Sequence, residues 1–202
     1  WGAFWSASAS WNLSNEKWLA SVKQIDLLKI RASYGLNGNN GIAAYKAYGL
    51  YGASMYNGIT GMLPSSPENQ ELSWEKNETW NVGVDFSFFK YRLNGSIDFF
   101  HRKTTDLLYS KDLPLSSGIS ASYYPTNIGS LVNRGVELTV EGTPIKTSDW
   151  EWNLNLNLTH FTNEITALDP ADEAAGGIKY SNSIINELYL KGNVADNRYL
   201  FF

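Results

Sequence analysis

Residues 150–159, WEWNLNLNLT, alternate without exception between apolar and polar side chains. The apolar members are Trp150, Trp152, Leu154, Leu156 and Leu158, and the polar members are Glu151, Asn153, Asn155, Asn157 and Thr159. Successive side chains of a β-strand point to opposite faces of a sheet, whereas a helix would spread this pattern around all of its sides. The stretch therefore predicts a strand with one apolar face and one polar face.

Five further segments show the same period of two. Their apolar positions are odd-numbered in residues 1–13 and 93–99, and even-numbered in residues 28–36, 80–88 and 132–140. Ser, Asn, Asp, Glu and Thr hold most of the intervening positions. The six segments together predict an all-β fold in which about six strands run antiparallel, up and down.

The links between these segments differ in length in a regular way. Links are short at residues 13–27, where we expect one short helix near Trp18 to Gln24, and at residues 89–92 and 142–149. They are long at residues 38–73, at residues 110–126 and after Asn163. If the strands run up and down, all short links fall at one end of the sheet and all long links at the other. This asymmetry is typical of transmembrane β-barrels.

The apolar face also predicts the length of two turns, because residues paired across a ladder point to the same face. Apolar positions are even before residues 89–92 and odd after them, so this hairpin requires a turn of two or four residues. They are even on both sides of residues 142–148, so that hairpin requires an odd turn.

Composition narrows the class of protein. The chain is 43% hydrophobic and 14% aromatic, with 8 Trp and 12 Tyr, and no stretch approaches the roughly 18 consecutive apolar residues of a transmembrane helix. The net charge of -4 without a Lys/Arg cluster argues against nucleic acid as a partner. There is no Cys, and we expect no metal and no cofactor. Because the first residues already have a strand pattern, we expect a segment of a longer protein.

Several segments resemble the C-terminal barrel region of SusC/RagA-like TonB-dependent transporters. They are LKIRASYGLNGNNGI (residues 28–42), LSWEKNETWNVGVDFSFF (72–89), RLNGSIDFFHRKTTDLLYS (92–110), NIGSLVNRGVELTVEGTPI (127–145) and WEWNLNLNLTHFTNEI (150–165). The resemblance implies a bacterial outer-membrane barrel of about twenty-two strands around an N-terminal plug. We expect residues 1–168 to be part of that barrel, and residues 169–202 to be a loop and an unassigned tail.

The resemblance also implies partners and a substrate class. A SusD-like surface lipoprotein would cap the barrel, outer-membrane lipid would surround it, and TonB would act through the plug region, which is absent from this chain. The imported nutrient would be a glycan, an oligopeptide or a similar molecule. The segment itself would be a scaffold and not an enzyme.

Two sets of residues are candidates for contact with a ligand. Tyrosine rings on the long links offer rigid surfaces with a polar tip, suited to a ligand or to a capping protein. They are Tyr45, Tyr48, Tyr51, Tyr56, Tyr123 and Tyr124. Carboxylates on the polar positions of strands would face the barrel lumen. They are Asp85, Asp98, Glu137, Glu141 and Glu151.

Two alternatives remain open from the sequence. A soluble β-sandwich that binds carbohydrate would show similar alternation. A glycosidase would need two carboxylates facing each other, and Asp85 and Asp98 would lie directly opposite if the turn were Tyr91 and Arg92. The two histidines, His101 and His160, lack partners at metal-binding spacing, so we interpret both as residues of the wall or its interface.

Overall fold

The structure is a computed structural model that describes residues 2–119, 123–174, 178–181 and 186–189. Its strands are β1 (Ser6–Asn12), β2 (Ile25–Asn39), β3 (Leu50–Tyr56), β4 (Ile59–Ser66), β5 (Glu75–Phe88), β6 (Leu93–Thr105), β7 (Leu108–Asp112), β8 (Tyr123–Asn127), β9 (Ser130–Lys146), β10 (Glu151–Ala167), β11 (Ile178–Ser181) and β12 (Asn186–Tyr189). One α-helix, α1 (Pro170–Ala174), and two 3-10 turns, Leu13–Asn15 and Leu115–Ser117, accompany them. Among the described residues, no helix has the length and apolar character needed to cross a membrane.

The six predicted strands form one antiparallel sheet in the order β1-β2-β5-β6-β9-β10. The prediction of an up-and-down arrangement is confirmed. Most strands extend beyond their alternating centres, and β10 continues to Ala167. Trp1, the predicted start of the first strand, lies outside the described residues, and so does most of the tail after Ile184. The short helix expected near Trp18 is replaced by the 3-10 turn Leu13–Asn15 and further turns.

The sorting of the links is also confirmed, because the short links join the strands at one end of the sheet and the long links at the other. The long links are not simple loops. They fold into the separate hairpins β3–β4 and β7–β8. The first of these turns at Asn57 (φ 49°) and Gly58 (φ 80°), and Asn-Gly is a strong hairpin signal because both turn positions require positive φ.

One predicted turn length is correct and the other is wrong. Phe88 pairs with Leu93, which leaves residues 89–92 as a four-residue turn of the expected even length. Residues 147–150 also form a four-residue turn, although an odd turn was expected there. A β-bulge supplies the missing residue, since Thr143 and Pro144 together oppose Asn153. Proline lacks a backbone N–H, and within a sheet it is tolerated at bulges.

One face of the sheet is apolar and largely exposed in the described part of the chain. Its central row runs across all six strands as Trp11, Ile30, Val84, Ile97, Leu138 and Leu158. Trp11 and Leu158 are each 54% exposed, and Ile165 is the only buried hydrophobic residue among those described. A soluble β-sandwich would cover such a face with a second sheet. Here the other described strands form small separate hairpins.

The apolar band crosses the sheet obliquely. It runs from Trp5, immediately before β1, to Trp11 at one edge and from Trp152 to Leu158 on β10 at the other, yet Trp11 and Leu158 share one row. The band thus shifts by about six residues of 3.3 Å each across five strand spacings of about 4.8 Å each, which corresponds to a strand tilt of about 40°. Strands of closed barrels have this tilt.

Candidate functional site

The polar face of the sheet carries the five predicted carboxylates. Alternation places Asp85 on β5, Asp98 on β6, Glu137 and Glu141 on β9, and Glu151 on β10, all on the same face. Glu151 has the same parity on β10 as Asn155 and therefore shares its face, and the bulge at Thr143 on β9 brings Lys146 to that face as the partner of Glu151. The period of two is therefore enough to assemble these side chains on one surface.

Arg31 organises the centre of this face. Its Nη2 lies 2.9 Å from an Oδ1 of both Asp85 and Asp98, and its Nε donates a hydrogen bond to Asp85 at 3.0 Å. The side chains of Arg31, Asp85 and Asp98, which we call the Arg31 cluster, are 37%, 26% and 16% exposed. A planar guanidinium presents five donors and can serve two carboxylates at once. The cluster ties together three adjacent strands.

Gly83 makes the Arg31 cluster possible. It lies between Arg31 and Asp98 in one row of the sheet, paired with both. A Cβ at this position would lie 3.0 Å from Nη2 and 3.1 Å from Cζ of Arg31, and would overlap Oδ1 of Asp98. The guanidinium therefore crosses the middle strand over a backbone that has no side chain.

Gly83→Ala is accordingly expected to destabilise the barrel by about 1–3 kcal/mol, because the added methyl group displaces the ion pairs. The measurement is thermal unfolding of the full-length protein in detergent. Gly61→Ala is the matched control, since its Cβ would meet only the Ser54 carbonyl oxygen, at 3.9 Å. Equal melting temperatures for the two variants would contradict this account of Gly83.

The observed register differs from the one in which Asp85 and Asp98 would lie directly opposite each other. Because the turn comprises residues 89–92, Asp85 pairs with Ser96 and Asp98 pairs with Gly83. Both carboxylates are held by the same arginine. The two carboxylates are thus engaged in structural ion pairs, which removes the geometric basis of the glycosidase alternative. Arg31 itself was missed as a site residue, although alternation places it on the polar face.

The other carboxylates have weaker partners. Glu141 accepts a hydrogen bond from Asn155 Nδ2 at 3.2 Å, and Glu151 lies 3.2 Å from Lys146 Nζ. Glu137 stands directly opposite Asp98 and makes no hydrogen bond or ion pair within the described part of the chain. Like charges in this arrangement repel each other. The centre of the polar face is therefore a locally acidic surface.

The structure does not gather the predicted tyrosines into one surface. Rings of Tyr45 and Tyr48 lie 6.4 Å apart, centroid to centroid, at an angle of 41°. Tyr51 and Tyr56 are exposed on opposite faces of the β3–β4 hairpin, because their positions on β3 differ by an odd number. Tyr124 is half-buried on β8, and the side chain of Tyr123 lies outside the described residues.

An open pocket of about 310 Å³ lies on the Tyr56 face of this hairpin. Its lining residues are Ser54, Tyr56, Asn57, Ile59, Gly61 and Leu63. The surface is mostly apolar, with a hydroxyl and an amide at its margin. Such a surface suits contact with another protein or with the ring of a ligand.

The histidines lie on the apolar face. The His101 ring stacks on Trp80, with centroids 5.4 Å apart and planes 10° apart, and His160 is exposed on β10. Within the described residues, no group of three or more His, Asp or Glu side chains is placed to hold a metal ion.

Comparison with known proteins agrees with this geometry. The family model described as TonB dependent receptor-like, beta-barrel matches residues 1–199. The chain is 36% identical to TonB-dependent receptor P39 of Formosa agariphila, over 96% of the chain and 18% of that receptor. It is also 36% identical to TonB-dependent receptor SusC of Bacteroides thetaiotaomicron, over 100% of the chain and 21% of that receptor.

Solved structures of RagAB also match this chain. The RagAB peptide importer in its closed-closed state superposes with a TM-score of 0.77 at 29% identity, covering 90% of this chain and 19% of that one. The RagAB peptide transporter matches with a TM-score of 0.75. The chain thus spans about a fifth of the length of these relatives. From its sheet, its bare apolar face and these matches, the chain belongs to the TonB-dependent receptor family and is a SusC/RagA-like segment of an outer-membrane β-barrel.

Proposed function

We propose that this segment forms part of the wall of a TonB-dependent importer, with its apolar face in lipid and its polar face toward the lumen. The observation that carries the proposal is the bare, oblique apolar band, whose tilt of about 40° suits a closed barrel. In hydrocarbon every backbone polar group needs a partner, and the continuous antiparallel ladders provide them for the four inner strands, while the outer edges of β1 and β10 would pair with neighbouring strands of the barrel. Residues 1–168 would form the wall, and residues 169–202 a loop and tail.

The proposed cargo is a glycan or an oligopeptide. Asn, Ser and Thr side chains on the polar face offer donors and acceptors, and Asp98 and Glu137 add negative charge at its centre. Similarity to SusC and to the RagAB peptide importer supports import of nutrients of this kind. The segment would contribute a surface for passage rather than catalytic groups, so we infer no bond chemistry for it.

The proposed partners follow the same relatives. A SusD-like surface lipoprotein would sit over the long links, and TonB would act through the plug region of the transporter. Tyr45, Tyr48, Tyr51, Tyr56, Tyr123 and Tyr124 would contribute to the ligand or lid surface there. The exposed, largely apolar β3–β4 hairpin supports this placement, because such a surface in water favours a covering partner.

Uptake by the full-length transporter tests this proposal. The double variant Tyr45→Ala, Tyr48→Ala removes two neighbouring exposed rings at the long-link end, and we expect uptake of a labelled oligopeptide or glycan to fall by about tenfold. Tyr91→Ala is the matched control, since Tyr91 is 64% exposed and Tyr48 62%, but Tyr91 lies in the short turn at the opposite end. If both variants transported equally well, these two rings would not belong to the ligand or lid surface.

A further inference from the structure

We propose that the lipid-facing side of this segment carries a binding site for the phosphate group of an anionic lipid, formed by His101, Lys103, Arg134 and His160. We call these four residues the basic margin. The inference rests on the wall orientation proposed above, and concerns the lipid surroundings rather than the transported cargo.

The four side chains are neighbours on three adjacent strands. His101 pairs directly with Arg134 across β6 and β9. Lys103 pairs with Val132, and His160 pairs with Val136, so each is one diagonal step from Arg134 on the same face. Direct and diagonal neighbours on one face lie about 4.5–8 Å apart. One phosphate with its oxygens can therefore be reached from several of these residues.

The basic margin lies where the apolar band ends. The last apolar residue before it is Phe99 on β6, Val136 on β9 and Leu158 on β10, so the margin follows the oblique edge of the band. Trp80 and Tyr34 continue the same edge on β5 and β2. Aromatic rings of this kind mark the lipid–water interface. Because the long links lie at this end, the basic margin faces the outer leaflet.

The guanidinium of Arg134 has N–H donors that its contact with Glu164 does not use. Its side chain is 63% exposed, and Glu164 lies 3.6 Å from its Nη2, compared with 2.9 Å for the ion pairs of Arg31. A guanidinium carries five N–H donors and binds phosphate in a bidentate manner. One loose carboxylate contact therefore leaves Arg134 able to hold an anion.

The remaining groups of the basic margin are arranged compatibly. Lys103 is exposed and makes no ion pair within the described part of the chain; Glu78, opposite it, accepts a hydrogen bond from Tyr34 at 2.8 Å. The His101 ring is fixed by its stack on Trp80. Within the described residues, its Nδ1 is buried without a hydrogen-bond partner. The other ring nitrogen of a histidine, Nε2, can donate a hydrogen bond to an anion.

A lipid phosphate fits this site better than a free anion. The apolar surface formed by Phe99, Val136 and Leu158 begins immediately beneath the charges. Acyl chains lying on that surface would deliver a headgroup to the level of Arg134. A free phosphate ion has no acyl chains and would gain no binding energy from the apolar surface beside the charges. Binding of a phosphorylated lipid and of inorganic phosphate can therefore be distinguished by experiment.

The test uses the full-length transporter in detergent and native mass spectrometry. The probes are a phosphorylated lipid A, the same lipid without phosphate, and inorganic phosphate. We expect the phosphorylated lipid to be retained, and Arg134→Gln to weaken its binding about fivefold to tenfold. Arg102→Gln is the matched control, because Arg102 follows His101 on β6 and points to the opposite face. It should leave lipid binding unchanged.

Glu164 and Lys103 provide two further variants of the basic margin and its surroundings. Glu164→Gln should strengthen lipid retention by removing the carboxylate that competes for Arg134. If Arg134→Gln fails to fold, Lys103→Gln takes its place in the test and should also weaken lipid retention. Unchanged retention in Arg134→Gln, equal retention of the dephosphorylated lipid, or full competition by inorganic phosphate would overturn the lipid site alone. Loss of retention in Arg102→Gln but not in Arg134→Gln would instead show that the wall is oriented the other way.

Discussion

Ile97→Arg is expected to destabilise the membrane-inserted barrel by about 2–4 kcal/mol, since a guanidinium on the lipid side near the middle of the bilayer loses its hydration. Ile97 lies in the central row of the apolar face, paired with Val84 and Leu138. No carboxylate lies within that row to compensate the charge. The measurement is denaturant unfolding of the full-length protein in lipid vesicles.

Ser96→Arg is the control for this prediction. Ser96 precedes Ile97 on β6 and points to the polar face, where it pairs with Asp85 and Thr139. An arginine there remains hydrated and gains a nearby carboxylate, so we expect a change below about 1 kcal/mol. Similar losses in the two variants would show that the faces have been assigned wrongly.

Arg31→Met gives the second large effect. The substitution keeps an apolar stem of similar length but removes the cation that forms ion pairs with both Asp85 and Asp98. Loss of one partner from a fully buried pair costs several kcal/mol. The Arg31 cluster is partly exposed, and solvent screens it, so we expect a loss of about 1–3 kcal/mol in denaturant unfolding.

Two further variants separate charge from packing in the Arg31 cluster. Adding Asp85→Asn and Asp98→Asn to Arg31→Met should recover more than half of the lost stability, because the two carboxylates that Arg31 paired with are then neutral amides. Lys76→Met is the matched control. Lys76 forms an ion pair of 2.8 Å with Asp106, and the two side chains are 62% and 42% exposed, respectively. It should cost less than about 0.5 kcal/mol. Absence of recovery in the triple variant would assign the effect of Arg31→Met to packing.

The strands and their faces were predictable because alternation is local. The alternation within each of the six segments identifies its apolar face. The odd or even numbering of the apolar positions on either side of residues 89–92 then gives the correct turn length. The Arg31 cluster was not predictable in this way. It depends on the lateral pairing of β2 with β5 across the long link at residues 40–74, and no local pattern fixes that register. A shift of two residues would have kept every face and separated Arg31 from Asp98.

The hairpins and the tyrosines illustrate the same limit. Asn57-Gly58 was a usable signal for the β3–β4 hairpin, but it lies in a link whose flanking residues do not alternate cleanly. The six tyrosines were grouped because they share links, and sharing a link does not imply sharing a surface. Tyr51 and Tyr56 show this directly, since the pleat of β3 sends them in opposite directions.

The bulge at Thr143 and Pro144 bears on how such a wall changes over generations. A hairpin without a bulge, such as β5–β6, cannot gain or lose a single turn residue, because the shift would turn every later side chain of the strand inside out. In β9–β10 the spare residue of the bulge can be drawn into the turn or released from it, and the strand beyond keeps its faces. Natural insertions and deletions of one residue should therefore be common at the β9–β10 hairpin and rare at the β5–β6 hairpin.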